Sequence, residues 1–255
     1  MIKLVISGCS GYMGRVLTRV AASEADVEVV AGFDVVQPNP LPAYPIYTFP
    51  HVFIGDVDVI IDFSVPVALG ELLPYAVERK IPLVLCTTGY GKEQLKDIED
   101  AAKVIPVFRS GNMSLGINLL IDLIKRACAV LGESYDVEII ERHHKRKVDA
   151  PSGTALMLAE AAASSLPHDE IEYVFERESK REPRKKHEIG ISALRGGTIV
   201  GEHEVIFAGL DEVIELKHTA ASRDVFAVGA VRAAKYLAKI NTPGLYNMSD
   251  VLARK

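Results

Sequence analysis

Short apolar runs alternate with longer stretches of helical apolar spacing through the first half of the chain. IKLVIS (2–7) is short and β-branched, and residues 11–23 then bring Met13, Leu17 and Val20 onto one helical face. VEVVAGFD (27–34), VDVIIDFS (57–64), IPLVLCTT (81–88) and VIPVFRS (104–110) read as further strands, with helices over 66–79 and 92–103. The Pro-rich stretch 38–50 reads as loop. Continuously apolar strands between helices predict a parallel sheet covered on both faces.

The pattern changes near residue 114. A helix over 114–131 leads to the strand YDVEIIE (135–141), and a second helix runs from about 152 to 165. EIGISALR, TIVGEHEVIFA and EVIELKHTA then follow one another within 188–220, with turns at Gly196-Gly197 and Gly209-Leu210-Asp211. Adjacent strands with tight turns predict an antiparallel or mixed sheet, hence a second, α+β domain. Helices over 222–239 and 249–254 close the chain. RESKREPRKK (177–186) is charged and aperiodic, which predicts a mobile surface loop.

Composition narrows the function classes. The chain has 255 residues, 49% hydrophobic and 25% charged, with a formal net charge of −5. That balance offers no global attraction to nucleic acid or an anionic membrane. No apolar run reaches the length of a spanning helix. The N-terminus leads directly from a strand into a Gly-rich turn, unlike a signal peptide. Cys9, Cys86 and Cys128 form neither a metal pattern nor a disulfide framework, so the expected setting is the reducing cytoplasm.

SGCSGYMG places Gly8, Gly11 and Gly14 between the first strand and the first helix. Backbone without Cβ lets a pyrophosphate approach the N–H groups of a helix start. A tight turn without ligand is the bland alternative. Against it stands Asp34 at the end of the second strand, where a carboxylate bonds the ribose hydroxyls of NAD. Val35 and Val36 follow it, with no Arg or Lys for a 2′-phosphate, so NADH is favoured over NADPH. The expected fold is α/β: a Rossmann-type parallel-sheet dinucleotide-binding domain plus an α+β domain with a mixed open sheet. Cys86-Thr87-Thr88 and Ser110-Gly111-Asn112-Met113 close two strands where such sheets meet their ligands. Cys86, with no histidine adjacent in sequence, reads as a buried small residue.

ERHHKRKVDAPSGTA (141–155) carries six consecutive Arg, His or Lys residues from Arg142 to Lys147. A charge run is more often a solvated face. This stretch, however, closely resembles the signature of the dihydrodipicolinate reductase family. GCSGYMGR (8–15), IIDFS (60–64), CTTG (86–89), GNMSLGIN (111–118), RGGTIVGEHEVIF (195–207), HTAASRDVFAVGAVRAA (218–234) and GLYNMSDVL (244–252) extend the resemblance over essentially the whole chain.

The resemblance implies a dinucleotide-binding domain of 1–113 completed by 223–255. It also implies a substrate domain of 114–222 whose sheets assemble a homotetramer. It implies that Gly8, Cys9, Ser10, Gly11, Tyr12 and Met13 wrap the pyrophosphate and Asp34 the ribose. Cys86, Thr87 and Thr88, with Ser110, Gly111, Asn112 and Met113, would line the nicotinamide side. His143 would donate and accept the proton, Lys147 would be a second proton donor, and His144, Gly153 and Thr154 would bind the substrate carboxylates. Use of both NADH and NADPH is frequent in the family. The implied reaction is reduction of 4-hydroxy-tetrahydrodipicolinate to tetrahydrodipicolinate in the diaminopimelate route to lysine.

A dianionic substrate explains cations next to a helix start. Pro151 suits a chain turning into a helix, Ser152 can cap it, and Gly153 lets a carboxylate come close. Histidines 143 and 144 would point opposite ways on a strand, so serving one pocket requires a bend. Glu141 at the strand end has no assigned role. Arg195 and Arg223 stay open between bidentate carboxylate binding and inter-strand or intersubunit contacts, and His203 and His218 lie in matching motifs without an assigned role. Two competing readings remain: another two-domain NAD(P)-dependent dehydrogenase, such as an acylating semialdehyde enzyme using Cys86, and a non-catalytic NAD sensor or nucleic-acid binder using 177–186.

Overall fold

Alternation within each buried strand builds the first unit. In β1 (Ile2–Ser7), Leu4 and Ile6 face one side and Val5 the other. β4 (Val59–Asp62) divides likewise into Val59 and Ile61 against Ile60, and β5 (Leu83–Leu85) into Val84 against Leu83 and Leu85. β6 (Pro106–Arg109) places Phe108 with the first set and Val107 with the second. A strand apolar on both sides needs cover on both. Val16, Leu17 and Val20 of α1 (Tyr12–Ala22) and the alanine-rich face of α6 (Asp224–Leu237) cover one side. Leu72 and Leu73 of α2 (Leu69–Glu78) and Ile98 of α3 (Lys92–Ala101) cover the other.

With β2 (Val27–Phe33), β3 (Ile46–Tyr47) and β12 (Gly244–Tyr246), the sheet has the order β12-β6-β5-β4-β1-β2-β3, and every pair is parallel. Strands leave β1 in both directions, so a crevice opens at the carboxyl ends of β1 and β4. α7 (Met248–Ala253) packs Met248 and Val251 into the α1–α6 side.

The computed structural model describes residues 1–167 and 170–253. The chain packs as two compact units, Met1–Leu115 with Arg223–Lys255, and Gly116–Ser222. The second unit is a five-stranded mixed sheet of order β11-β10-β7-β9-β8. Its strands are β7 (Asp136–His143), β8 (Glu172–Val174), β9 (Glu188–Arg195), β10 (Gly201–Ala208) and β11 (Val213–Ala220). Val137, Ile139, Ile189, Ile191, Val205 and Phe207 meet α4 (Leu115–Leu131) and α5 (Gly153–Ala163) on one face. The alternate residues, among them Glu138, Ile140, Arg142, Glu202 and Glu204, occupy the opposite face and are half-buried.

Several expectations are corrected. Gly196-Gly197 does not make a hairpin: β9 and β10 are not neighbours, because β7 lies between them, parallel to β9 and antiparallel to β10. The Gly209-Leu210-Asp211 turn does join an antiparallel pair, β10 and β11. The Pro-rich stretch 38–50 contains β3, hydrogen-bonded to the end of β2. Residues 177–186 are irregular but fastened to the second sheet. Arg177 binds Glu138 and Glu188 at 2.6 and 2.7 Å, and Arg184 binds Asp136 and Glu138 at 2.7 and 3.1 Å. Arg177, Lys180 and Arg184 are spaced to meet strand carboxylates, while most of the loop's other charged residues are exposed. Among the described residues no helix is long and apolar enough to cross a membrane.

Candidate active site

The first unit gathers its sequence-predicted residues at the carboxyl ends of the parallel strands. Gly8 has φ +75°, and a Cβ there would stand 2.6 Å from Phe63 O. A Cβ at Gly14 would stand 2.1 Å from Gly8 O. The turn therefore closes more tightly than any side chain permits. Gly11 caps α1 without a side-chain hydrogen bond, and the first helical turn has no acidic residue. Such a helix start offers N–H groups and a positive dipole end to an anion.

Asp34 fastens this turn: Ser10 N–H donates to its Oδ2 at 2.9 Å and Val36 N–H to its Oδ1 at 3.0 Å. Each carboxylate oxygen keeps a second lone pair for a hydroxyl. A cleft of about 600 Å³, mostly apolar, runs from the turn past Asp34, Phe49 and Val67. The glycine cradle, the open helix start and this cleft fit a dinucleotide.

Not every residue of this set presents its side chain. Cys9 and Met113 are core residues, 2% and 4% exposed, so only their backbone is available to a ligand. Met13 also packs on the core. Tyr12 is exposed, with the Arg223 guanidinium 5.3 Å above its ring. Ser110 Oγ donates to Asn112 O at 2.8 Å, and Asn112 Oδ1 accepts Ser114 N–H at 2.8 Å, so the 110–113 loop is held by its own side chains. Gly111 and Thr88 are exposed. Burial pushes the Cys86 thiol well above its usual range, and the Asp62 charge acts in the same direction. A thiol so held is protonated at neutral pH, which opposes a nucleophilic role.

Asp62 is the residue of this unit that sequence reasoning missed. It is 1% exposed at the end of β4. Its Oδ1 accepts Ser64 Oγ–H at 2.5 Å, and its Oδ2 accepts Thr87 Oγ1–H at 2.7 Å and Tyr90 O–H at 3.3 Å. Burial, reinforced by the Asp62 charge, keeps the Tyr90 phenol protonated by raising it far above its usual range.

The second unit turns its covered face polar at one end. Beyond the apolar Val137 and Ile139, β7 continues with Glu141 and His143 on the same side. Glu141 is fully buried, at 0% exposure. Arg195 grips it with two bonds of 2.7 Å, one to each oxygen, and Ser152 N–H donates to Oε1 at 2.9 Å. His143 Nδ1 lies 2.6 Å from Oε2. Burial works to raise the Glu141 carboxyl, but the hydrogen bonds from Arg195, His143 and Ser152 outweigh it and hold it below its usual range. The solvated strand end expected from sequence is thus a buried carboxylate, and the bidentate partner of Arg195 is internal.

Ser152 caps α5 as expected, its Oγ accepting Ala155 N–H at 3.1 Å. The same Oγ lies 3.0 Å from His203 Nε2. His203 is 5% exposed, and its ring meets that of His143 edge-on with centroids 5.2 Å apart. His218 pairs with His203 in register across β10 and β11, and burial lowers the pKa of both imidazoles.

The basic run divides as strand geometry requires. Arg142 faces away from His143, to Glu204 and Glu202 at 3.0 and 3.4 Å. The chain then bends: Gly196 N–H donates to His143 O at 2.9 Å, and Lys147 N–H to His144 O at 3.1 Å. Lys147 Nζ lies 2.8 Å from Asp149, while Lys145 and Arg146 are exposed. Gly153 and Thr154 open the first turn of α5, whose N–H groups have no intrahelical acceptor.

A parallel sheet that closes a glycine turn over an open helix start, with an acid at its second strand, defines a nicotinamide-dinucleotide oxidoreductase; the second unit adds a buried acid–imidazole pair beside another helix start. The family models for the N-terminus and C-terminus of dihydrodipicolinate reductase match residues 2–113 and 116–252. The chain belongs to the dihydrodipicolinate reductase family. It is 52% identical to the 4-hydroxy-tetrahydrodipicolinate reductase of Caldanaerobacter subterraneus subsp. tengcongensis, covering 100% of this chain and 99% of that one. With the Clostridium novyi protein of the same name it shares 50% identity over 100% of both. Its structure is similar to that of a dipicolinate-bound dihydrodipicolinate reductase from Paenisporosarcina sp. TG-14, with TM-score 0.82, 26% identity and 97% of each chain covered.

Proposed function

We propose that this chain reduces 4-hydroxy-tetrahydrodipicolinate to tetrahydrodipicolinate, in the diaminopimelate route of lysine biosynthesis, with His143 and Lys147 handling the proton. The observation that carries this reading is the meeting of His143 with the start of α5. Glu141 binds the His143 imidazole and the N–H of Ser152, the residue that caps that helix. Proton transfer and anion binding are thereby fixed to one carboxylate.

The first turn of α5, with Gly153 and Thr154, binds the substrate carboxylates, with His144 as a further hydrogen-bonding group and Lys147 as a charge. Gly8 through Met13 hold the pyrophosphate through their backbone, Asp34 the ribose. Thr87, Thr88 and the loop from Ser110 to Met113 border the nicotinamide. A reduced nicotinamide, when bound, supplies the hydride. His143 and Lys147 supply the proton that completes the product, a contribution of about 10²–10⁴-fold for a positioned acid.

NADH is the preferred form, because Asp34 would repel a 2′-phosphate and Val35 and Val36 offer it no cation. A homotetramer is supported by the second sheet's uncovered face, where Ile140 and Ile206 are half-buried and Leu194 exposed without helix cover. A cytoplasmic setting suits three unpaired thiols.

The test follows NADH and NADPH oxidation with freshly generated substrate at one ionic strength. His143→Gln is expected to cut kcat by about two orders of magnitude or more while NADH affinity is unchanged. An unimpaired kcat overturns the role of His143, no oxidation with either cofactor overturns the reaction, and a clear NADPH preference overturns the reading of Asp34.

A further inference from the structure

We infer that Glu141, locked by Arg195 and the Ser152 N–H, is a positioning residue that fixes His143 in one tautomer, with the proton on Nδ1 and the exchangeable site at Nε2. This inference rests on the reading of His143 as proton carrier.

The geometry leaves little choice. Arg195 takes both oxygens of Glu141 at 2.7 Å, and Ser152 N–H adds a third bond at 2.9 Å. All three bonds come from N–H donors, so the carboxylate is held ionised as a pure acceptor. The imidazole nitrogen 2.6 Å from Oε2 must then donate. In the neutral ring the lone pair is on Nε2. Arg195 is itself anchored, donating to Leu194 O at 2.7 Å and Asp149 O at 2.6 Å. The chain of restraint therefore runs from the β9 backbone through Arg195 and Glu141 to the ring. Glu141 lies two residues before His143 on β7, so strand alternation places both on one face. Fixing a ring's orientation and tautomer through a carboxylate on its far nitrogen is a general device for functional imidazoles.

Of the charged and titratable groups in this cluster, Glu141 on β7 bonds the ring, Arg195 on β9 bonds Glu141, and His203 on β10 meets the ring edge-on, while His218 on β11 and Lys147 after β7 act on His203. Glu141 is the acid in bonding contact with the ring.

Glu141→Gln is expected to lower kcat about 10–100-fold, the range typical of carboxylates behind a functional imidazole. NADH affinity should not change. The double variant Glu141→Gln/His143→Gln should be no slower than His143→Gln alone, because Glu141 acts only through the ring. Additive losses, or an unchanged kcat in Glu141→Gln, overturn the inference. If His143→Gln alone leaves kcat intact, the proton-carrier reading fails instead. A measurement on the unaltered protein stands apart from both: ¹⁵N spectra of labelled histidine, assigned with His143→Gln, should show neutral His143 protonated at Nδ1. Protonation at Nε2 overturns the inference, even where Glu141→Gln does not fold.

Discussion

Thr87 Oγ1 donates to Asp62 Oδ2 across 2.7 Å and ties the end of β5 to the end of β4 at the carboxyl edge of the parallel sheet. Ser64 and Tyr90 converge on the same carboxylate. Asp62→Ala leaves three hydroxyls without their acceptor, a cost of about 2–4 kcal/mol where the groups are buried. Urea unfolding should show that loss, and kcat/KM for the cofactor should fall with it. A variant unchanged in both would make the cluster incidental.

Two glycines at helix starts should respond oppositely to alanine. A Cβ at Gly14 meets Gly8 O at 2.1 Å and Cys9 Cα at 2.6 Å, all backbone, so Gly14→Ala must distort the turn. Lower stability and weaker NADH binding by fluorescence titration are expected together. A Cβ at Gly153 meets no protein atom within 4 Å. Gly153→Ala should keep the melting temperature or raise it, since alanine suits a helix better. Its substrate KM should still rise several-fold, because the added methyl takes the space a carboxylate needs. An unchanged KM would remove Gly153 from the substrate site.

His203 makes stability depend on pH in a defined direction. Burial lowers its pKa from 6.5 to about 4, with the neighbouring His143 acting in the same direction. Above pH 6.5 both folded and unfolded states are neutral at this residue and it costs nothing. Between 6.5 and about 4 the unfolded chain takes a proton that the folded chain refuses, so stability falls as pH falls. The slope is up to about 1.4 kcal/mol per pH unit. Urea unfolding at a series of pH values should be shallower for His203→Gln across that window; equal slopes would assign the acid sensitivity elsewhere.

Arg184, 16% exposed in its side chain, binds Asp136, Glu138 and the carbonyls of Val137 and Glu188. Arg184→Ala should cost about 1–2 kcal/mol, since it leaves the carbonyls of Val137 and Glu188 without this donor, while Glu138 keeps Arg177 and Asp136 can turn to solvent. Thermal unfolding checks this, and NADH binding should stay constant.

The parts legible in the sequence were those with a period or a contiguous motif. Val59, Ile60 and Ile61 announce a two-sided strand, and the glycines at 8, 11 and 14 announce their turn. β3, β8 and β12 were missed because two or three residues carry no period. β7 between β9 and β10 was illegible because pairing across a sheet leaves no local trace, while the adjacent β10 and β11 were read correctly. Glu141 is the instructive miss. Val137, Ile139, Glu141 and His143 alternate strictly, so the strand extends two residues further than read and carries the acid inward with the histidine. Asp62 left no such signal: its partners Thr87 and Tyr90 stand 25 and 28 positions away.

β7 is hydrogen-bonded to β10 on one edge and to β9 on the other. Peptide groups so enclosed exchange with deuterated water only when the sheet itself opens. The amides leading to His143 therefore report the stability of the entire second unit, and a ligand that docks on its imidazole should slow deuterium uptake across all three strands at once.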